Sequence, residues 1–239
     1  MTRVKLDPRR LCAKQSRAKR LGSDDFLYRR AIEDCLDRLQ FLPGPVGDLV
    51  ILEGPGKQED GPVVPGAASV VSLALSSLEP GCADLVLAVG VLDYADDPAI
   101  AAFITRHALR PGGRLIGASI GSGSLPRMRR AFLDAERASG RAAQRFHAML
   151  DAATLSEMLS GAGFTDVVVD VDSFDVRYSG LDSIVRDLRS MGCTNSLAGA
   201  IPALDRGVYR DARNLFSSGE RVEERFEILH FSGIAKMTV

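Results

Sequence analysis

The chain has 239 residues, of which 46% are hydrophobic and 26% charged, a balance typical of a globular protein with a full core. Its 30 basic and 31 acidic side chains give a formal net charge of −1, which argues against nucleic-acid binding through overall charge. No apolar run reaches the roughly 18 residues of a membrane span, and no signal-peptide core follows the first residues. We therefore expect a cytoplasmic protein without a membrane span.

The amino-terminal region is locally basic and predicts two helices, over residues 8–21 and 24–40. The second has apolar residues at helical spacing, from Phe26 to Leu39. A Pro43-Gly44-Pro45 break then divides a helical arm, residues 1–42, from a domain, residues 43–239. The arm could tether the protein to nucleic acid or a membrane, or it could be a solvated helix packed on the domain, which we favour because one basic helix is a weak signal.

The four cysteines lie far apart and form no CxxC pair: Cys12, Cys35, Cys82 and Cys193. Such spacing suits neither a zinc site nor a dense disulfide framework, and it is typical of a reducing compartment. No metal site is predicted from the sequence.

A short apolar strand over 48–53 opens the domain and ends at Gly54-Pro55-Gly56. Residues 57–67 are rich in glycine, proline and polar side chains and predict a loop. A second short strand is expected over 68–75, before the turn that leads to the central stretch.

Residues 83–120 are the most informative part of the chain. Two apolar runs, Leu85–Val89 and Leu115–Ile120, flank an amphipathic segment that begins at Pro98 and ends at Arg110. This pattern predicts a βαβ unit with two buried parallel strands. Ligands in such sheets bind outside the carboxyl ends of the strands, so Gly90 to Tyr94 would line a site.

The rest of the chain alternates between helical and extended patterns. We predict helices over 125–139, from 151 or 154 to 161, over 181–191 and over 203–217, and strands over 167–171, 174–178 and 222–237.

Several motifs match a known family. The runs Asp84-Leu85-Val86, Val91-Leu92-Asp93-Tyr94 and Leu109-Arg110-Pro111-Gly112-Gly113 resemble those of class I S-adenosylmethionine-dependent methyltransferases. The carboxyl-terminal half, with Ala162-Gly163-Phe164 and Asp187 to Gly192, is similar to one branch. That branch contains the malonyl-carrier-protein methyltransferase of biotin synthesis and a mitochondrial complex I assembly factor.

The resemblance implies a Rossmann-like α/β sheet with helices on both faces and S-adenosylmethionine as cofactor. In such enzymes a glycine-rich turn lets the backbone approach the methionine part of the cofactor, and acids hold the ribose and the adenine. By this resemblance the cofactor would be bound by Glu53, Gly54, Gly56, Val89, Gly90 and Asp93, and the residues near the transferred methyl group would be Asp93 and Tyr94. The alternative, which we favour, is that Asp93 caps the turn with Asp96 and that Tyr94 shields the end of the sheet.

The chain departs from the family pattern at two places. The third glycine of the turn is missing after Gly56, and the segment between Gly56 and Asp84 is too short for the usual helix, strand and helix. The acid that binds the ribose therefore has no counterpart. Two functions stay open: methyl transfer to a small carrier-bound or protein substrate, and a degenerate member that acts as a protein-binding or respiratory-complex assembly factor.

Overall fold

The structure is a computed structural model, which describes residues 5–20, 25–41, 46–52, 54, 67–141, 143–199, 201–217 and 221–236. Within this part of the chain, six strands form one sheet in the order β2-β1-β3-β4-β6-β5. The strands are β1 (Gly47–Leu52), β2 (Ala67–Leu73), β3 (Ala83–Val89), β4 (Leu109–Ile120), β5 (Phe164–Tyr178) and β6 (Val222–Ala235).

Strands β2, β1, β3 and β4 run parallel, and β6 pairs antiparallel to β4. The helices of the described chain are α1 (Pro8–Arg20), α2 (Phe26–Leu39), α3 (Val91–Tyr94), α4 (Pro98–Ala108), α5 (Pro126–Ala138), α6 (Ala152–Gly161), α7 (Leu181–Ser190) and α8 (Arg206–Phe216). This architecture confirms the predicted Rossmann-like sheet with helices on both faces.

Two compact units divide the chain. The first comprises Met1–Asp25, Ser122–Met149 and Ser173–Glu227, and in it α5 packs on α8 and α1 on α7. In α1, Arg10 donates from its guanidinium to the Leu197 carbonyl oxygen at 2.8 Å, which helps to fix this basic helix within the unit.

The second unit comprises Phe26–Gly121, Leu150–Asp172 and Ile228–Val239 and holds the parallel strands. Strand β3 is buried along most of its length, as expected for a central strand covered on both faces. Helix α2 packs on β3 and β4, and α4 packs on α6 and β4. Asp97 begins α4 by accepting hydrogen bonds from the amides of Ala99 and Ile100, the usual role of aspartate before a helix.

Most predicted elements are present, with three corrections. The two strands predicted over 167–171 and 174–178 are one strand, β5, because no glycine or proline interrupts the alternating pattern. Residues 91–94, for which no helix was predicted, form the short helix α3. Helix α4 ends at Ala108 rather than Arg110, and β4 begins at once with Leu109.

No helix among the described residues is long and apolar enough to cross a bilayer. The cytoplasmic location stays a prediction, and so does the division into an arm of residues 1–42 and a domain of residues 43–239.

Candidate functional site

The carboxyl ends of β1 and β3 lie in close contact at Gly54. A Cβ atom at Gly54 would overlap the carbonyl oxygen of Val89, so no larger residue fits without a backbone shift. The same glycine leaves bare backbone at this edge of the sheet. Such an edge can approach a ligand closely, which is what a cofactor-binding turn requires.

Gly90 turns the chain from β3 into α3. Its φ of 70° lies in the left-handed region, and its amide donates to the Ala118 carbonyl oxygen at 2.8 Å. The pairing of β3 with β4 therefore continues to Gly90, and glycine then allows the sharp change of direction. Val89 and Gly90 thus lie at the same sheet edge as Gly54.

Asp93 connects α3 to the end of β4. Both of its carboxylate oxygens lie 3.2 Å from the Ile120 amide nitrogen, from which they accept a hydrogen bond. This contact agrees with the interpretation that Asp93 stabilises the turn, since its side chain holds the first turn after β3 against the neighbouring strand. A role of Asp93 near the transferred methyl group stays a prediction.

Tyr94 contacts a residue that the sequence analysis did not single out. The Tyr28 hydroxyl in α2 donates to the Tyr94 hydroxyl at 3.3 Å, and Tyr28 is only 1% exposed. One signal could have found it, because Tyr28, Ala31 and Cys35 follow helical spacing on the buried face of α2.

The opposite end of the strands carries a charged cluster. Arg110 lies 2.7 Å from Asp84 Oδ2 and 2.9 Å from Asp48 Oδ2, and Asp84 also accepts from the Asp48 amide. Hydrogen bonds from Ser69 and from Arg110 hold the pKa of Asp48 below its usual value. Asp84, part of the family motif, is therefore distant along β3 from Gly90 and ties the amino ends of the strands together.

The described residues after β2 lack the carboxylate that holds the ribose of the cofactor in the resembled family. Strand β2 pairs directly with β1, from Asp48 opposite Ser69 to Leu52 opposite Leu73. After β2 the chain continues as Ala74-Leu75-Ser76-Ser77-Leu78, which contains no acid. In the described residues, the carboxyl end of β2 thus offers no carboxylate for a ribose. Glu53 and Gly56, also predicted for the cofactor, lie outside the described residues.

The three histidines have separate structural surroundings. His107 packs on Phe103 with ring centroids 4.3 Å apart, and Nε2 of His147 accepts from the Ser196 amide at 2.8 Å. His230 is buried in β6, and burial followed by the charge of Arg38 lowers its pKa.

Comparison with known proteins supports the resemblance to S-adenosylmethionine-dependent methyltransferases. No model of a protein family matches the chain. A malonyl-[acyl-carrier protein] O-methyltransferase of Coxiella burnetii is 29% identical over 38% of this chain and 29% of its own length. The mitochondrial arginine-hydroxylase NDUFAF5 of Danio rerio is 32% identical over 47% of this chain and 35% of its own length. The chain thus spans about a third of the length of these two relatives.

Among solved structures, a candidate methyltransferase of Bacillus halodurans superposes with a TM-score of 0.53 at 13% identity, over 84% of this chain and 97% of its own. This likeness concerns the fold. The sheet order and the sequence similarity together support the resemblance to the class I methyltransferases. The similarity extends to the malonyl-carrier-protein methyltransferases and to NDUFAF5, as the sequence analysis predicted.

Proposed function

We propose that the chain binds S-adenosylmethionine at the sheet edge formed by Gly54, Gly90 and α3, and transfers its methyl group to a small carrier-bound or protein substrate. The observation that carries this proposal is the contact of Gly54 with the Val89 carbonyl oxygen, because it leaves bare backbone where the cofactor's methionine part would lie. The malonyl-carrier-protein methyltransferases among the relatives support the substrate class.

Methyl transfer from S-adenosylmethionine requires mainly that the protein position the reacting groups. A nucleophilic atom of the acceptor attacks the methyl carbon, the carbon–sulfur bond breaks, and its electron pair stays on sulfur in S-adenosylhomocysteine. Because the sulfonium is already activated, the protein contributes mainly by aligning nucleophile, methyl and sulfur. In this proposal Asp93 fixes α3 against β4, and Tyr94 shapes the edge where the acceptor enters.

The direct test is calorimetric titration of the chain with S-adenosylmethionine and with S-adenosylhomocysteine. We expect binding, and we expect Gly54→Ala to abolish it, because the added methyl group displaces the end of β1 from β3. Gly161→Ala is the matched control, since a Cβ there meets nothing within 4 Å and Gly161 ends α6. Absence of heat with either ligand at millimolar concentration would contradict the proposal.

A second candidate function has its own observation. The described residues that follow β2, from Ala74 to Leu78, contain no carboxylate that could hold a ribose, which favours a member that no longer uses the cofactor and instead binds a protein. The similarity to the mitochondrial arginine-hydroxylase NDUFAF5 is compatible with this alternative, and the family resemblance described above suggests a respiratory complex as the kind of partner.

The two candidates give different results in two assays. A methyltransferase transfers radiolabel from S-adenosylmethionine to a malonylated carrier protein or to a protein substrate. An assembly factor shows no transfer and no calorimetric signal, yet recovers a defined partner when immobilised in a native lysate.

A further inference from the structure

Three side chains that none of the functions above uses come together in the second unit. They are Asp34 in α2, Asp172 in β5 and His230 in β6, and their ligand atoms all lie within 4.8 Å of one another. They form the one group of at least three histidine, cysteine or acidic residues with this spacing in the described part of the chain. We refer to them as the Asp-Asp-His cluster.

The buried imidazole of His230 is the strongest indication that this cluster can bind a metal ion. Its side chain is 1% exposed, and its Nε2 atom has no hydrogen-bond partner among the described residues. Buried polar atoms in folded proteins are almost always partnered, so an unpartnered one calls for a physical explanation. The nearest acidic oxygen, Asp34 Oδ2, lies 3.4 Å from Nε2.

The other ring nitrogen has a neighbour that is compatible with the tautomer suited to metal binding. Nδ1 of His230 lies 4.0 Å from the Sγ atom of Cys35, which is buried in α2. If Nδ1 donates its hydrogen to this sulfur, the lone pair resides on Nε2, facing the cluster. Metal-binding histidines generally donate a hydrogen bond from the nitrogen that does not bind the metal, although the usual acceptor is an oxygen.

The separation of His230 and Asp34 agrees with coordination of one ion. Bonds of about 2.1 Å to nitrogen and oxygen place two ligands of a tetrahedral ion about 3.4 Å apart, and the His230–Asp34 separation is 3.4 Å. The side chains of Asp34 and Asp172 are 37% and 36% exposed, so an ion can reach the cluster from solvent. Three protein ligands leave a fourth position for water.

Arg30 supplies the positive charge that the two carboxylates now share. Its guanidinium lies 2.9 Å from Asp172 Oδ2 and 3.8 Å from Asp34 Oδ2. The Arg30 side chain is 47% exposed and can turn toward solvent without leaving a buried charge. A divalent ion and this guanidinium would therefore compete for the same oxygens.

We propose that Asp34, Asp172 and His230 bind a divalent transition-metal ion that accepts nitrogen and oxygen ligands, such as Zn²⁺ or Co²⁺, with Arg30 as the competing cation. The ion joins α2 to β5 and β6. Tyr28, which contacts Tyr94, lies six residues before Asp34 in the same helix, so bound metal would also steady the helix beside the proposed cofactor edge. The proposal stands independently of methyl transfer.

The test uses the full chain, dialysed against chelator and titrated with Co²⁺ while its visible absorption is followed. We expect one ion per chain with the d–d bands of tetrahedral nitrogen and oxygen coordination. We expect Asp34→Asn and Asp172→Asn each to weaken Co²⁺ binding roughly tenfold or more, since each removes a charged ligand. Thermal unfolding without metal checks that both variants fold.

Asp170→Asn is the matched control. Asp170 lies two residues from Asp172 in β5 and pairs with Arg38 at 2.6 Å, but it has no place in the cluster. Its removal should leave Co²⁺ affinity unchanged. Arg30→Gln should tighten binding by about tenfold because the competing charge is gone.

Three results would overturn the proposal. One is no Co²⁺ binding by the wild-type chain at millimolar concentration. Another is equal loss in the Asp170→Asn, Asp34→Asn and Asp172→Asn variants, which would reflect general surface charge. The third is a strong thiolate charge-transfer band, which would assign the ion to a cysteine instead.

Discussion

The hydroxyl groups of Tyr28 and Tyr94 lie 3.3 Å apart and join α2 to the short helix that follows β3. Tyr28 is buried, whereas Tyr94 lies at the sheet edge proposed for the cofactor. The contact therefore links the packing of α2 to the shape of the candidate site.

We expect this link to be measurable as a coupling energy. Single Tyr28→Phe and Tyr94→Phe variants and the double variant form a cycle, in which the coupling should be about 0.5–1.5 kcal/mol, the usual net value of a hydrogen bond. Urea denaturation gives the free energies of unfolding. Additive effects of the two substitutions would show that the hydroxyl contact contributes nothing.

Asp93 offers a test that separates positioning from catalysis. Asp93→Asn keeps an oxygen that can accept from the Ile120 amide, whereas Asp93→Ala removes it. We expect the alanine variant to lose about 1–3 kcal/mol of unfolding free energy and the asparagine variant clearly less. If Asp93 acts only by positioning α3, Asp93→Asn also keeps its affinity for S-adenosylhomocysteine and its methyl transfer. Loss of transfer with unchanged stability and affinity would instead assign the carboxylate to the reaction.

Sequence patterns predicted the fold well because the parallel strands are short, apolar and bounded by turn residues, as in Leu85–Val89 before Gly90. The resemblance to the methyltransferase family, rather than strand patterning, indicated Asp93 and Gly54, and their roles in a cofactor site stay predictions. Local patterns could not find the Asp-Asp-His cluster, whose members are separated by 138 and 58 residues along the chain and meet only through the pairing of strands and the packing of α2. Tyr28 was not predicted for a related reason, because its partner Tyr94 is 66 residues away along the chain.

The buried carboxylate of Glu224, in the first unit, should make the free energy of unfolding depend on pH. It is 1% exposed, and its carboxylate accepts from the amides of Arg127, Met128 and Arg225, the first two in the initial turn of α5. Burial nevertheless raises its pKa above the ordinary 4.5, despite these bonds. The folded chain thus binds this proton more readily than the unfolded chain, and Glu224 contributes stability below pH 4.5 that is lost as the pH rises through its folded pKa.

Glu224→Gln should remove this dependence. Relative to the wild type, the variant should gain unfolding free energy as the pH increases from 4.5 toward neutrality, because glutamine has no charge to bury. Urea denaturation of both proteins at several pH values measures the difference, in which the other titrating groups cancel. A difference that stays constant over this range would contradict the raised pKa.

Asp84 belongs to the family motif, but its contacts with Asp48 and Arg110 indicate that it stabilises the fold and does not bind a ligand. Asp84→Asn keeps an acceptor for the Asp48 amide but weakens the attraction to Arg110, so we expect a lower melting temperature. Because these side chains are about 40% exposed, the loss should shrink as NaCl is added. Asp96→Asn, at an exposed turn residue, is the control and should melt like the wild type.

The Asp84→Asn variant also distinguishes a structural role of Asp84 from a functional one. Asp84 lies near the amino end of β3, and Gly90 follows its carboxyl end, six residues or about 20 Å along the strand. At that distance a screened surface charge has little effect on a ligand. Calorimetry of Asp84→Asn should therefore give the wild-type affinity for S-adenosylhomocysteine. An unchanged melting temperature combined with lost ligand binding would reverse the assignment and place Asp84 in the functional site.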